Sequence, residues 1–246
     1  MLLKDKTAVI TGCSRGIGLS MLEIYSNHGA KIIACVRKSN TIFEKKVKEL
    51  SKNNNKKIDV VEFDLSNENE IEKGFLKIRE LSQKVDILVN NAGINQISLF
   101  QMTTLKSLRK TFEINFFATY SLTQKLLKLI TKSGSGKIIN ISSNAATLCS
   151  PGRSGYASSK AAIIALTKVL SRELGRHKIC VNAIAPGLTD TEMTKQTAEK
   201  EIKEALNQTP LNKIAKPVDI ANVSLFLASD LSNHITGETI FVSGGM

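Results

Sequence analysis

Tyr156 and Lys160 stand four residues apart in Tyr156-Ala157-Ser158-Ser159-Lys160, where a long segment of helical period begins. Positions i and i+4 share a helix face, so a phenol and an ammonium converge on one site. A free tyrosine titrates at about 10, which is poor for proton transfer at neutral pH. Lowering it to about 7 takes roughly 4 kcal/mol. One ammonium about 4 Å away, at an effective dielectric of about 20, supplies that amount. The pair therefore reads as a general acid/base, Tyr156, with Lys160 as its electrostatic partner. Ser143 follows the run Ile138-Ile139-Asn140-Ile141-Ser142 and is suited to hydrogen-bond a substrate carbonyl. Asn115 is polar in an apolar stretch, after Phe112 and Ile114, and is placed to hold a water linking Lys160 to solvent. A Tyr-x-x-x-Lys pair alone carries little. Joined to a serine at a strand end of a dinucleotide fold, it specifies carbonyl chemistry.

A dinucleotide site is written near the start of the chain. The first strand-like run leads into Thr11-Gly12-Cys13-Ser14-Arg15-Gly16-Ile17-Gly18 and then a helix. The spacing is G-x-x-x-G-x-G, neither G-x-G-x-x-G nor a P-loop. Glycines let backbone approach a pyrophosphate, and the helix N-terminus offers free N–H groups and a positive dipole end. The second strand-like run ends at Val36 and is followed by Arg37 and Lys38, with no carboxylate to repel a ribose 2′-phosphate. Arg37 is placed to pair with that phosphate and Arg15 to pinch it, which favours NADPH over NADH. Asp64 and Leu65 follow the third run, where the carboxylate can accept from an adenine amino group. Asn90-Asn91-Ala92-Gly93 follows the fourth, where small residues admit a flat ligand.

The elements that must position these residues alternate. Strand-like runs fall at Thr7–Thr11, Lys31–Val36, Ile58–Phe63, Val85–Val89, Lys137–Ile141, Ile179–Ala183 and Thr239–Val242. Between them lie segments of helical period, including about 103–129, 156–174 and 218–227. Near-continuous apolar strands alternating with helices predict a parallel sheet covered on both faces. The expectation is an α/β, single-domain, doubly wound, Rossmann-like sheet of seven strands spanning residues 1–246. Residues 52–57 read as a polar loop. Residues 187–216, bracketed by Pro186 and Pro217, form the one long irregular stretch and read as a lid.

The composition is ordinary for a globular chain: 246 residues, 42% hydrophobic and 23% charged. No apolar run reaches the roughly 18 residues that a membrane span needs. Met1-Leu2-Leu3-Lys4-Asp5-Lys6 has no apolar core of a signal peptide. Cys13, Cys35, Cys149 and Cys180 are scattered, as in a reduced, cytoplasmic protein. His28, His177 and His234 have no metal-ligand spacing, and no G-x-S-x-G elbow is present. The net charge of +12 admits a solvated surface, an anionic cofactor, substrate or carrier, or nucleic acid. With 5% aromatics and no tryptophan, stacking platforms for nucleic acid are scarce.

Taken together, Thr11–Gly18, Asn90-Asn91-Ala92-Gly93, Asn115, Ser143, Tyr156-x-x-x-Lys160 and Pro186-Gly187-Leu188-Thr189-Asp190-Thr191 resemble the short-chain dehydrogenase/reductase family, in order and over the whole chain. The resemblance implies a sheet in the order 3-2-1-4-5-6-7 and hydride transfer between NAD(P)(H) and a carbonyl or secondary alcohol, usually in a homotetramer; Arg15 and Arg37 select NADP(H). It implies Tyr156 as acid/base, Lys160 lowering its pKa and binding the nicotinamide ribose, Ser143 orienting the carbonyl and Asn115 holding a relay water. Pro186, Gly187, Thr189 and Thr191 would line the nicotinamide pocket. Thr189 departs from the isoleucine common in the family. The ending Gly237–Met246 and the segment Phe226-Leu227-Ala228-Ser229 are similar to 3-oxoacyl-[acyl-carrier-protein] reductases within the family. That implies a fatty-acid-type substrate on an acidic carrier. Where such reductases carry basic residues, Lys132, Lys137 and Arg176 lie nearby here, with His177 where a second arginine is expected. The net charge together with the predicted helix ends gives Lys125, Lys128, Lys132 and Arg176 as a docking rim. A small ketone, sugar or secondary alcohol is the alternative substrate. A non-catalytic dinucleotide-binding regulator is the alternative class.

Overall fold

The computed structural model describes residues 1–54, 56–196 and 199–246. Seven aliphatic, largely β-branched runs pair in parallel: β1 (Thr7–Thr11), β2 (Lys31–Val36), β3 (Ile58–Glu62), β4 (Ile87–Asn90), β5 (Lys137–Ile141), β6 (Cys180–Pro186) and β7 (Thr239–Val242). Their order is β3-β2-β1-β4-β5-β6-β7, so the chain winds one way from β1 and then the other. This is the expected seven-stranded, Rossmann-like sheet. β6 runs three residues further than its apolar pattern suggests, because Ala183–Pro186 pairs with β7.

Helices cover both faces: α1 (Gly16–Asn27), α2 (Thr41–Asn54), α3 (Glu68–Leu81), α4 (Leu105–Phe112), α5 (Ala118–Thr131), α6 (Ala145–Leu148), α7 (Ser154–Leu174), α8 (Glu199–Asn207) and α9 (Pro217–Ala228). The period-two alternation of each strand splits the core. Ala8 and Ile10 of β1 join Met21, Leu22 and Tyr25 of α1, Phe43 of α2 and Ile220 of α9. Val9 faces the other way, with Ile71 and Ile78 of α3 and Leu122 and Leu126 of α5. Helix α2 continues to Asn54, so Lys52–Asn54 belongs to a helix and not to the expected loop. Asn55 lies outside the described residues.

The segment expected to be one helix over 103–129 is broken in two. Between α4 and α5, Glu113–Phe117 forms a single π turn, in which the Ala118 N–H reaches the Glu113 carbonyl five residues back. The lid segment 187–216 is partly structured. Thr189 bridges to Ala215 as a parallel strand fragment, a 3-10 turn spans Thr194–Gln196, and α8 follows. Thr197 and Ala198 of that segment lie outside the described residues. No helix among the described residues is long and apolar enough to cross a membrane.

Candidate active site

The C-terminal ends of β1, β4, β5 and β6 open on one edge of the sheet, where doubly wound folds bind ligands. Ser143 leaves β5 there, buried, and its Oγ accepts a 3.1 Å hydrogen bond from the Ala145 N–H. Tyr156 lies in the first turn of α7 and shares a hydrogen bond with Ser143. One turn on, Lys160 is buried; its Nζ donates to the Ile141 carbonyl at 2.7 Å and lies 6.0 Å from the centre of the Tyr156 ring. A further bond, from Ser142 Oγ to the Lys160 carbonyl at 2.8 Å, pins this helix turn to the strand end.

Burial acts on both members of the Tyr156 and Lys160 pair. Desolvation raises the Tyr156 pKa above that of a free tyrosine, against which the Ser143 hydrogen bond and the positive charge of Arg153 act. The same burial drives the Lys160 ammonium down to about 8, which still leaves it mostly protonated at neutral pH.

Asn115 sits in the π turn, fully buried. Its Oδ1 accepts from the Ile94 N–H at 2.8 Å, while its Nδ2 donates to the Ile94 carbonyl and to Ser159 Oγ, each at 3.0 Å. Ser159 Oγ in turn donates to the Tyr156 carbonyl at 2.7 Å. The side chain thus clamps the loop after β4 against the start of α7. π turns arise where one extra residue re-aims a helix face, often at functional sites. A Cβ on Gly93 would lie 3.1 Å from Asn115 Oδ1 and 3.4 Å from Lys160 Nζ, so Gly93 lets this loop close on both.

The glycine turn is built for close backbone approach. Gly12 has φ +66°, and a Cβ there would come within 2.8 Å of the Ala92 Cα. A Cβ on Gly18 would run into the Gly12 carbonyl and sit 2.5 Å from Asn91 Nδ2. Asn91 donates from Nδ2 to the Thr11 and Gly12 carbonyls at 2.9 and 3.0 Å. Thr11 Oγ1 accepts from the Asn91 and Ala92 N–H groups at 3.0 and 3.1 Å. Asn91, Ala92 and Thr11 are therefore the frame of the turn. Helix α1 starts with no side-chain cap from Arg15 and no acid in its first turn. Its first N–H groups, from Gly16, Ile17 and Gly18, form a ready anion site. Ser14 and Arg15 flank it.

Arg37 follows β2 and is exposed, with no ion pair among the described residues. Its charge, with that of Lys110, helps hold the Asp64 carboxyl below its usual range, after the hydrogen bond from the Ser66 N–H. One Asp64 oxygen is taken by Ser66, which donates from both N and Oγ at 2.8 Å. Leu65 beside it packs on the core. Arg15 is not turned to Arg37: its guanidinium pairs with Glu192 of the lid segment, both side chains being exposed. Gly187 packs on Ser243, Thr189 Oγ1 donates to the Gly187 carbonyl at 3.0 Å, and Thr191 lies over Gly16. Pro186 ends β6 beneath them.

The expected basic rim is not at this edge. Leu129 accepts from the Val85 N–H just before β4, and Leu174 from the Ile179 N–H just before β6. The last turns of α5 and α7 therefore lie at the N-terminal edge of the sheet, which puts Lys128, Lys132 and Arg176 across the molecule from Tyr156. Lys125 pairs with Glu72 of α3. Helices of a parallel sheet run from the strand C-termini back to the N-termini, so only their first turns border the site. Ser159 and Asn95 carry no role in the sequence reading, and Thr11 appears there only as the start of the glycine motif. Asn95 and Arg153 are joined by a 2.8 Å hydrogen bond from Arg153 Nη1 to Asn95 Oδ1.

The family model described as Enoyl-(Acyl carrier protein) reductase matches residues 12–246. The chain belongs to the short-chain dehydrogenase/reductase family of oxidoreductases. It is 36% identical to the 3-oxoacyl-[acyl-carrier-protein] reductase of Aquifex aeolicus, covering 99% of this chain and 98% of that one. It is also 36% identical to a 3alpha-hydroxysteroid dehydrogenase of Mediterraneibacter gnavus, covering 99% and 98%. A solved structure of a putative NAD(P)-dependent gluconate 5-dehydrogenase from Beutenbergia cavernae, with bound NADP, is similar with a TM-score of 0.91 and 30% identity, covering 99% and 97%. Carrier-protein reductases recur among the relatives, yet steroid and sugar-acid dehydrogenases lie at comparable distance.

Proposed function

We propose that this protein is a cytoplasmic, NADPH-dependent reductase that converts the ketone of a 3-oxoacyl thioester, carried on an acyl carrier protein, to a secondary alcohol. The observation that carries the chemistry is the hydrogen bond between Tyr156 and Ser143 above the buried Lys160, at the edge where the glycine turn opens. The carrier-bound substrate rests on the relatives named above.

NADPH fits the residues present. The uncapped start of α1 at Gly16–Gly18 suits the pyrophosphate, with Gly12 and Ser14 alongside. Arg37 suits the 2′-phosphate, while Arg15 must leave Glu192 to join it. The other oxygen of Asp64, with Leu65, suits the adenine. Asn91, Ala92 and Gly93 give a narrow wall for the ribose, and Pro186, Gly187, Thr189 and Thr191 one for the nicotinamide. When bound, the cofactor supplies a hydride to the carbonyl carbon. Ser143 and Tyr156 both present hydroxyls to the carbonyl oxygen, and Tyr156 gives it its proton as hydride arrives. Lys160 lies one turn below Tyr156, where it can bind the ribose hydroxyls and feed a proton back. Asn115 holds the loop and helix that surround this path.

Exposed cations on the site side are Lys106, Arg109 and Lys110 of α4, whose Leu108 packs beside Gly155 at the start of α7. They replace the rim expected on α5 and α7 as the surface for an acidic carrier. The test is NADPH oxidation with a 3-oxoacyl carrier protein, its free thioester mimic, a sugar ketone and a steroid ketone. The expected result is highest kcat/KM on the carrier substrate, falling steeply with salt as the Debye length shrinks to about 8 Å. Preference for the sugar or steroid ketone, or a flat salt response, would overturn the carrier assignment and leave the reductase.

A further inference from the structure

Two stretches of chain wall the reacting groups, and neither carries a charge. Residues 91–105 and 143–152 hold no Asp, Glu, Lys, Arg or His, in a chain that is 23% charged. The first stretch starts at the base of the site, where a Cβ on Gly93 would lie 3.4 Å from Lys160 Nζ. It then runs beside the residues that lead into Tyr156. The Ser98 N–H donates to the Gly152 carbonyl at 2.9 Å. A Cβ on Gly152 would lie 3.7 Å from Ile97 Cγ2, and one on Gly155 would lie 3.8 Å from Gln96 Oε1. The second stretch starts at Ser143 itself and forms α6, which ends at Leu148.

Both stretches present large apolar side chains to solvent. Ile97, Leu99, Phe100, Met102 and Leu148 are all exposed, Phe100 most of all at 83%. The loop that carries four of them is held by its own hydrogen bonds. Thr103 Oγ1 donates to the Ser98 and Leu99 carbonyls at 3.2 and 3.1 Å, and Phe100–Met102 forms a 3-10 turn. Exposed apolar side chains gathered beside a reaction centre mark a surface that binds. The lid differs in kind, since it brings Asp190, Glu192 and Lys195.

The lack of charge selects the occupant. A sugar acid brings a carboxylate and several hydroxyls. Each gives up water on binding and needs a donor, an acceptor or a cation in return. Neither stretch offers a cation. A hydrocarbon asks for none.

We propose that Ile97, Leu99, Phe100 and Leu148 form the surface along which the hydrocarbon chain of the substrate lies, and that they select long acyl chains over short ones. The proposal rests on the 3-oxoacyl reading above and adds the chain, placed on the loop after β4 and on α6 instead of on the lid. Each methylene that leaves water is worth up to about fourfold in affinity. The chain is the same before and after the ketone reacts, so its binding lowers KM and leaves kcat.

The test is a ladder of 3-oxobutyryl, 3-oxooctanoyl and 3-oxododecanoyl thioesters of a small thiol, reduced with NADPH. Wild-type kcat/KM should rise at least about tenfold from the first to the second, through KM. In the double variant Leu99→Ser, Phe100→Ser that ratio should fall to about threefold or less, and Leu148→Ser should lower it in part. Leu231→Ser removes an exposed leucine from the 3-10 turn before β7, at the opposite edge of the sheet, and should keep the wild-type ratio. Calorimetric binding of the matching 3-hydroxyacyl thioesters gives a readout without turnover. The heat-capacity change should become more negative with chain length in the wild type and stay flat in the double variant. A wild-type ratio near one, or a ratio that survives in the double variant, overturns the proposal. So does a double variant that sediments as a smaller species with its ratio intact, which gives the loop to a second copy of the chain. Chain-length-dependent binding with no turnover of any thioester would instead overturn the reductase reading and support the chain surface.

Discussion

Lys160 Nζ donates a 2.7 Å hydrogen bond to the Ile141 carbonyl while buried beneath Tyr156. Its desolvated ammonium titrates at about 8, against 10.5 when free. Below about pH 8 both folded and unfolded chains carry the charge, and folding bears its burial. Between that value and the unfolded pKa the unfolded chain binds the extra proton, so stability rises with pH across this window. Denaturant unfolding at about pH 7 and about pH 9.5 should show the wild type gaining roughly 2 kcal/mol relative to Lys160→Met. Equal changes in the two proteins would mean that Lys160 titrates normally.

Gly18 has no room for a side chain, since a Cβ would meet both the Gly12 carbonyl and Asn91 Nδ2. Forcing one in must shift the turn or break the Asn91 clamp. Gly18→Ala should therefore lose about 1–3 kcal/mol of stability and most of its NADPH binding in a fluorescence titration. Gly134→Ala is the control. Gly134 has φ +75° and nothing within 4 Å of a Cβ, so its cost is backbone strain alone. It should leave cofactor binding unchanged. Unaltered binding in Gly18→Ala would show that the turn tolerates displacement.

The strands were legible because a parallel sheet buried on both faces leaves near-unbroken apolar runs such as Lys31–Val36. Tyr156, Lys160 and Ser143 were legible because one helix face and one strand end bring them together. The π turn at Asn115 was not, since it changes hydrogen-bond partners without breaking the apolar period around it. The orientation of helices α5 and α7 was available in principle. Lys128, Lys132 and Arg176 precede strands β5 and β6, and that alone assigns them to the far edge. Arg15 could not be placed from sequence. Its partner Glu192 is 177 residues away and meets it only when the lid folds back on the glycine turn.

Among the described residues Arg37 is exposed and has no ion pair, whereas Arg15 is held by Glu192. Arg37 is thus the residue available to a 2′-phosphate at once. A charge-assisted hydrogen bond is worth roughly 1.5–3 kcal/mol, about ten- to 150-fold in preference. Arg37→Asp should shift the ratio of NADPH to NADH affinity by at least that factor toward NADH. Glu192→Gln should shift it modestly the other way by releasing Arg15. Equal affinity of the wild type for both cofactors would remove the phosphate role from Arg37.

The π turn and α5 expose aromatic side chains, and α7 exposes Val169. Ile163 and Leu166 of α7 turn inward and are buried, so they do not add to this surface. Phe117, Tyr120 and Val169 do: they are 53%, 47% and 51% exposed. Phe116 packs edge-on against Phe117, with ring centres 5.5 Å apart, and lies 6.3 Å from the Tyr120 ring, so these three rings touch. Exposed aromatics that touch one another mark a protein interface more often than solvated surface. A patch that self-associates does so about a two-fold axis, with each residue meeting its counterparts on the other copy. Repeated at a second surface, such pairing gives the homotetramer proposed from the family resemblance. Phe117→Asp places two like charges near the axis, and Val169→Asp adds two more. Sedimentation at micromolar concentration should give an oligomer for the wild type and a smaller species for the double variant. Circular dichroism should be unchanged, because neither side chain contributes to the core. A wild type that sediments as a 26.9 kDa monomer leaves the patch without this partner.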